Sequence, residues 1–301
     1  MTHTITAAAP SAADAVAACA ADLISCGSIE MSAHLAGDAQ VLGSLLPAGT
    51  KVYVNHLPRH TLADTLSALE AVRRAGLEPV PHVAARRVGS RGELEAFLKR
   101  AVGDAGVQKV LLIGGDDPRP VGPFEDSTAL LKTGTLAACG VREVGLAGYP
   151  EGHARIPHTT LDRALGEKLA IAKAQGLGTY IVTQFSFSPA RVVEYCAALA
   201  RSTPGVPVYV GLTGPTDPAK LLRFAHRCGV SASLRALRAQ GMGLVRLVTH
   251  TDPGEQLTAV AHYCAAHGDC NVVGVHLFSF GAANKSATWM NAIITAQRAP
   301  Q

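Results

Sequence analysis

The chain has 301 residues, 48% hydrophobic and 17% charged, with 27 Lys and Arg against 23 Asp and Glu. A chain of this size buries a full core without disulfide staples or a structural metal. Its basic residues are scattered, which argues against nucleic acid or an anionic membrane as partner, and no apolar run reaches the ~18 residues a transmembrane helix needs.

Met1 to Ala21 is rich in alanine but has no Lys or Arg, so it lacks the basic region of a signal peptide and the Arg-rich face of a transit peptide. Ala12–Leu23 reads as a helix within a short N-terminal extension, about residues 1–23. The seven cysteines form no C-x-x-C pair, which predicts free thiols, no bound metal and a cytoplasmic location.

Eight β-rich runs then alternate with helical stretches. The run Ile24–Glu30 is followed by Lys51–Asn55, the helix Thr61–Ala75 with Gly76 at its C-terminus, Pro79–Ala84, the helix Arg91–Val102 and Lys109–Gly114. The helix Asp126–Ala138 leads to Glu143–Gly148, and Thr160–Ala174 leads to Thr179–Phe185. Pro189–Ala200 leads to Val206–Leu212. Helices at Asp217–Arg227, Ala232–Gln240 and Pro253–Ala266 precede the last run, Asn271–Phe278. This alternation is the signature of parallel strands joined by crossover helices. Apolar runs such as V-L-L-I and Y-I-V-T suit strands buried on both faces. Eight strands without a dividing linker favour one α/β domain over residues 1–301, a closed (β/α)8 TIM barrel, rather than an open sheet.

Barrel active sites are built at the C-terminal strand ends. Those ends read Glu30, Asn55, His82, Asp116, Tyr149, Gln184, Thr213 and His276. A carboxylate inside a barrel mouth has its pKa raised, as a general acid requires; by position alone Glu30 is more often a helix cap or a solvent-facing residue. G-G-D-D-P (Gly114–Pro118) offers open backbone and a carboxylate, or simply a Gly-Asp turn. In G-Y-P-E-G-H (Gly148–His153), Tyr149 can stack on a flat ligand and His153 can donate to a phosphate or ribose, though Tyr-Pro also serves packing. Gln184 suits a heterocycle edge or a satisfied core. His276 reads as well as a packed histidine as a ligand contact.

The joint order of these segments resembles the methylenetetrahydrofolate reductase family. The match is carried by G-Y-P-E-G-H, by I-V-T-Q-F (Ile181–Phe185), and by A-G-L-E-P-V-P-H (Ala75–His82). K-V-L-L-I-G-G-D-D-P resembles a fourth strand ending in R-G-D-x-P, S-I-E (Ser28–Glu30) the first strand with its catalytic Glu, and G-V-H-L-F the last. The likeness runs from about Ser25 to Ile293. It implies that Glu30 protonates N10 as the imidazolidine ring of methylenetetrahydrofolate opens. It further implies that Asp116 lies near flavin and pterin and favours the iminium, and that Gln184 bonds the pterin edge or the nicotinamide amide. His276 would join the substrate contacts. Asn55, His82, Gly115, Asp116, Phe124, Tyr149, His153 and Lys168 would cradle FAD, with NADH or NADPH as co-substrate.

The resemblance also implies a homo-oligomer, for which the apolar helix Ala287–Ile294 is the expected interface. Departures fall mainly on the cofactor side. M-S-A-H (Met31–His34) stands where the family has F-F-P-P, G-G-D where it has R-G-D, and Phe124 where it has tyrosine. Lys168 and Lys173 are out of the usual register. The implied activity is hydride transfer from NAD(P)H through FAD to methylenetetrahydrofolate, giving 5-methyltetrahydrofolate or running in reverse in a methyl-catabolic role. A flavin-independent reductase of the same folate, a non-redox pterin methyltransferase and a non-catalytic folate-binding barrel are the alternatives.

Overall fold

The eight strands pair in chain order, all parallel, and the first closes on the last. The (β/α)8 barrel expected from the alternation is therefore present. The structure, a computed structural model, describes residues 11–57, 60–217, 220–221, 223–224, 230 and 253–298. The expected helix Ala232–Gln240 lies outside these residues, and Asp217–Arg227 lies largely outside them.

The strands are β1 (Ser28–Ser32), β2 (Lys51–Asn55), β3 (Glu78–Ala84), β4 (Lys109–Ile113), β5 (Glu143–Gly148), β6 (Gly178–Thr183), β7 (Val208–Thr213) and β8 (Val272–Phe278). The described helices are α1 (Ala12–Ser25), α2 (Asp38–Leu45), α3 (Leu62–Arg74), α4 (Arg91–Gly103), α5 (Ser127–Lys132), α6 (Thr135–Ala138), α7 (His158–Ala174), α8 (Pro189–Ser202), α9 (Pro253–Ala266) and α10 (Ala283–Arg298).

Four of these differ from the sequence reading. Ile24 belongs to α1 rather than to a strand, because the helix continues to Ser25 and Cys26 caps it through Asp22 and Ile24 carbonyls. Gly27 then makes the turn, and a Cβ there would stand 2.8 Å from the Ile24 carbonyl oxygen. As a result β1 begins at Ser28, and Glu30 sits at its centre instead of its end. The short helix α2 was not anticipated. The expected helix Asp126–Ala138 is split into α5 and α6 by Gly134, whose φ of 69° is left-handed. On the helix Ala287–Ile294, offered as an interface, Ala287, Met290 and Ile294 are buried within the chain, where α10 packs on α1, α2 and β1, while Thr288 and Ala292 stay exposed.

Strand alternation sorts the residues into two cores. Ile29, Met31, Val52, Val54, Val110, Leu112, Val144 and Leu146 face the helices, while Tyr53, Val80, Leu111, Tyr180 and Val182 fill the barrel. Glycines make room for the interior rings. A Cβ at Gly145 would lie 2.5 Å from the Tyr180 ring, and one at Gly274 would lie 3.1 Å from the Tyr209 ring. At the N-terminal end, Lys109 bridges Glu78 and Glu143 at 3.2 Å each, closing the barrel floor with paired charge. The opposite end is left for chemistry.

Candidate active site

Position 30 on β1 points along the barrel axis, between the two strands that contribute histidines. The Glu30 carboxylate is 8% exposed, and its Oε1 lies 3.7 Å from Nε2 of His82 on β3 and 3.8 Å from Nε2 of His276 on β8. Both Nε2 atoms are buried with no hydrogen-bond partner. Both distances are slightly longer than a hydrogen bond, the looseness common in a site that closes when substrate enters. Behind the carboxylate, Nδ1 of His276 meets the Ser28 hydroxyl at 2.8 Å. Tyr53 packs its ring edge-on to both histidines, at centroid distances of 5.9 and 4.6 Å.

Burial pushes the pKa of His82 down to about 4, despite the opposing pull of Glu30. A neutral His82 at neutral pH forms no permanent ion pair with the carboxylate. A buried carboxyl within reach of two imidazole nitrogens is placed for general acid–base chemistry.

Two further groups stand at the mouth. Asn55 ends β2 with its Oδ1 buried and unpartnered. After β4 and β5, Asp116, Tyr149 and His153 gather on one side: the Tyr149 and His153 rings meet edge-on at 5.6 Å, and Asp116 acts electrostatically on His153. Burial first, and then Arg155, lowers the His153 pKa against that pull. Gly115 adopts φ of 93°, a left-handed conformation suited to glycine, and packs against Ala84, Arg86 and Arg87. Gln184 follows β6, half-buried, with its Oε1 accepting from the Phe185 N–H at 3.1 Å.

Two expected cofactor contacts are placed elsewhere. Phe124 is buried in the core between barrel and helices, so its ring is committed to packing rather than to stacking on a ligand. Lys168 is buried in the helical layer on α7, where desolvation lowers its pKa and Asp126, the cap of α5, is the acidic group acting on it.

The structure also assembles residues the sequence reading did not select. Phe185, Phe187, Phe278 and Phe280 form an aromatic wall, with Phe185 at 5.5 Å from Phe278 and 5.2 Å from Phe280. The signal was a repeated F-S-F, at 185–187 after β6 and at 278–280 at the end of β8. Phe280 has a left-handed φ of 49°, the one such non-glycine among the described residues, and strain of this kind clusters at functional sites. Across the mouth, His34, His56, His60 and Arg87 bring basic groups from the loops after β1, β2 and β3.

No protein-family profile matches the chain. Its sequence is 27% identical over 174 residues to methylenetetrahydrofolate reductase 2 of Saccharomyces cerevisiae, a match covering 56% of this chain and 28% of the yeast protein. A solved structure from Clostridium thermocellum, an uncharacterized protein that binds two copies of 5-methyl-5,6,7,8-tetrahydrofolic acid, superimposes with a TM-score of 0.59 at 11% identity. That superposition covers 90% of this chain and 95% of the other. The chain is thus a closed (β/α)8 barrel with distant sequence similarity to a methylenetetrahydrofolate reductase.

Proposed function

We propose that this barrel interconverts 5,10-methylenetetrahydrofolate and 5-methyltetrahydrofolate with a reduced pyridine nucleotide. The observation that carries the reading is the Glu30 carboxyl, buried on the barrel axis between two unpartnered imidazole nitrogens. In the reducing direction Glu30 delivers a proton to N10, the C–N bond to the bridging carbon breaks, and the resulting iminium carbon accepts hydride from NAD(P)H. The products are 5-methyltetrahydrofolate and NAD(P)+. Asp116 contributes negative charge to the mouth where the iminium forms, and Phe278, the partly exposed ring of the aromatic cluster, offers an apolar face to the pterin. Gln184 supplies an amide to the ring edge.

The residues fit FAD only in part. Gly115, Tyr149 and His153 suit a flat ring and its linker. The phosphate side does not fit: Gly114 carries no side chain, Lys168 lies in the helical layer, and Phe124 is committed to the core. These placements favour the flavin-independent form of the same reaction, in which hydride passes directly from nicotinamide to folate.

The test combines a spectrum with turnover. Protein purified without added cofactor, then mixed with FAD and desalted, is expected to show no stoichiometric flavin absorbance, yet to oxidise NAD(P)H when methylenetetrahydrofolate is present. Glu30→Gln is expected to abolish that oxidation. Bound flavin bleached by NAD(P)H would restore the flavin route; no folate-dependent oxidation in either form would remove the reductase reading altogether.

A further inference from the structure

Arg86 and Arg87 are neighbours in the turn after β3, but the structure uses them differently. Arg86 is fully engaged: Nε donates to the Asp117 carbonyl at 2.7 Å, Nη1 to the Glu125 carbonyl at 2.8 Å, and Nη2 to the Pro118 carbonyl at 2.8 Å. It holds the loop after β4 in place. Arg87 has Nε and Nη1 buried with no hydrogen-bond partner, and its nearest carboxylate, Asp117, stands 3.8 Å away. Nδ1 of His56 and Nδ1 of His60 are likewise buried and unpartnered.

Buried donors without acceptors cost free energy, and several at one place call for a missing acceptor. The local charge agrees. Burial and then Arg87 hold the His56 pKa down to about 4, and burial, His34 and Arg87 lower that of His60. The His34 and His60 rings are 5.0 Å apart. Asp117 and Glu93 oppose these effects at His56 and Asp64 does so at His60, yet none of these carboxylates comes within hydrogen-bond distance of Nε or Nη1 of Arg87.

We propose that Arg87, with His56 and His60, seats a phosphate group of a dinucleotide at the barrel mouth. The inference rests on the reductase reading above and identifies where its nucleotide is held. The Arg87 fork, with two imidazoles whose nitrogens can each turn to donate, suits the larger set of acceptor oxygens that a pyrophosphate presents. Arg87 also lies against Gly115, where a Cβ would be only 3.8 Å from the Arg87 Cγ.

The test is calorimetric titration of the full chain with NADPH, with FAD and with 5-methyltetrahydrofolate, for the wild type, Arg87→Met and Arg87→Lys. The wild type is expected to bind NADPH through this seat and not FAD; FAD held there instead would keep the seat and restore the flavin route. Arg87→Met is expected to weaken that binding on the order of tenfold to a hundredfold, as for loss of charged hydrogen bonds. Arg87→Lys falls between, and covers the case in which the Met variant does not fold. Binding of 5-methyltetrahydrofolate should not change. A wild type that binds neither dinucleotide, or an Arg87→Met variant that binds it unchanged, overturns the proposal. So does a loss confined to the folate, which would assign the seat to its glutamate carboxylates. Dinucleotide binding through Arg87 in a protein that binds no folate would keep the seat and sink the folate reading instead.

Discussion

The Ser28 hydroxyl lies 2.8 Å from Nδ1 of His276, across the seam where β1 meets β8. This contact decides which form of the imidazole faces Glu30. If Ser28 donates, Nε2 carries the hydrogen and points it at the carboxylate; if Nδ1 donates, Nε2 presents a lone pair. Ser28 therefore positions His276, and through it the carboxyl that the proposed reaction uses. Ser28→Ala is expected to lower kcat roughly tenfold, about 1.4 kcal/mol, with little change in KM. Steady-state kinetics beside a melting curve would check it. Unchanged kcat with an intact fold would leave the contact purely structural.

Acid should destabilise the fold through His82 and His56, both with pKa values pushed down to about 4, chiefly by burial. Each binds a proton less readily folded than unfolded, so the unfolded chain takes up more protons as the pH falls below about 6.5. Their contribution is full above that pH and lost on the way down to 4, at about 1.4 kcal/mol per pH unit for each histidine. Urea midpoints at pH 7, 6 and 5 should fall progressively. A flat series would show that the folded barrel accommodates both imidazolium ions.

Gly145→Ala places a methyl against the Tyr180 ring, whose Cε2 would be 2.5 Å away. That ring is enclosed, and its hydroxyl donates to the Val110 carbonyl at 3.3 Å, so it has little freedom to retreat. The expected cost is about 1–3 kcal/mol, typical of overpacking. Equal urea midpoints for variant and wild type would contradict it.

The sulfurs of Cys264 and Cys270 are 3.1 Å apart. A hydrogen bond with Cys264 holds the Cys270 thiol below the usual thiol range, which favours its thiolate. Cys264→Ala removes the donor, and alkylation of Cys270 by iodoacetamide at pH 7 should slow several-fold, since the thiolate is the nucleophile. Peptide mass spectrometry over time gives the rate. An unaltered rate would mean that Cys264 has no hold on its neighbour's charge.

Much of the barrel was legible from local pattern. Runs such as K-V-L-L-I are apolar because a parallel strand is buried on both faces, and T-L-A-D opens α3 with a capping box in which Thr61 and Asp64 bond reciprocally. Ile24 misled because an apolar residue serves the inner face of a helix as well as a strand. The helix α2 is only eight residues long, interrupted by a glycine, and too short for periodicity to mark. The C-terminal helix looked like an interface because its apolar stripe shows no partner in sequence; α1, α2 and β1 cover it in space.

The sequence alone established that Glu30 and the residues after each strand were candidates, since strand and loop positions follow from nearest-neighbour chemistry. Which of them meet was settled by closure of the sheet. Bringing β8 beside β1 places His276 against Ser28, 248 positions away, and alternation along each strand turns Glu30 and His82 to the same axis. The same closure joins two distant F-S-F segments into one wall, takes Phe124 into the core, and leaves Arg87 at the mouth with donors unmet. Those outcomes depend on contacts between segments far apart in the chain, which no local pattern encodes.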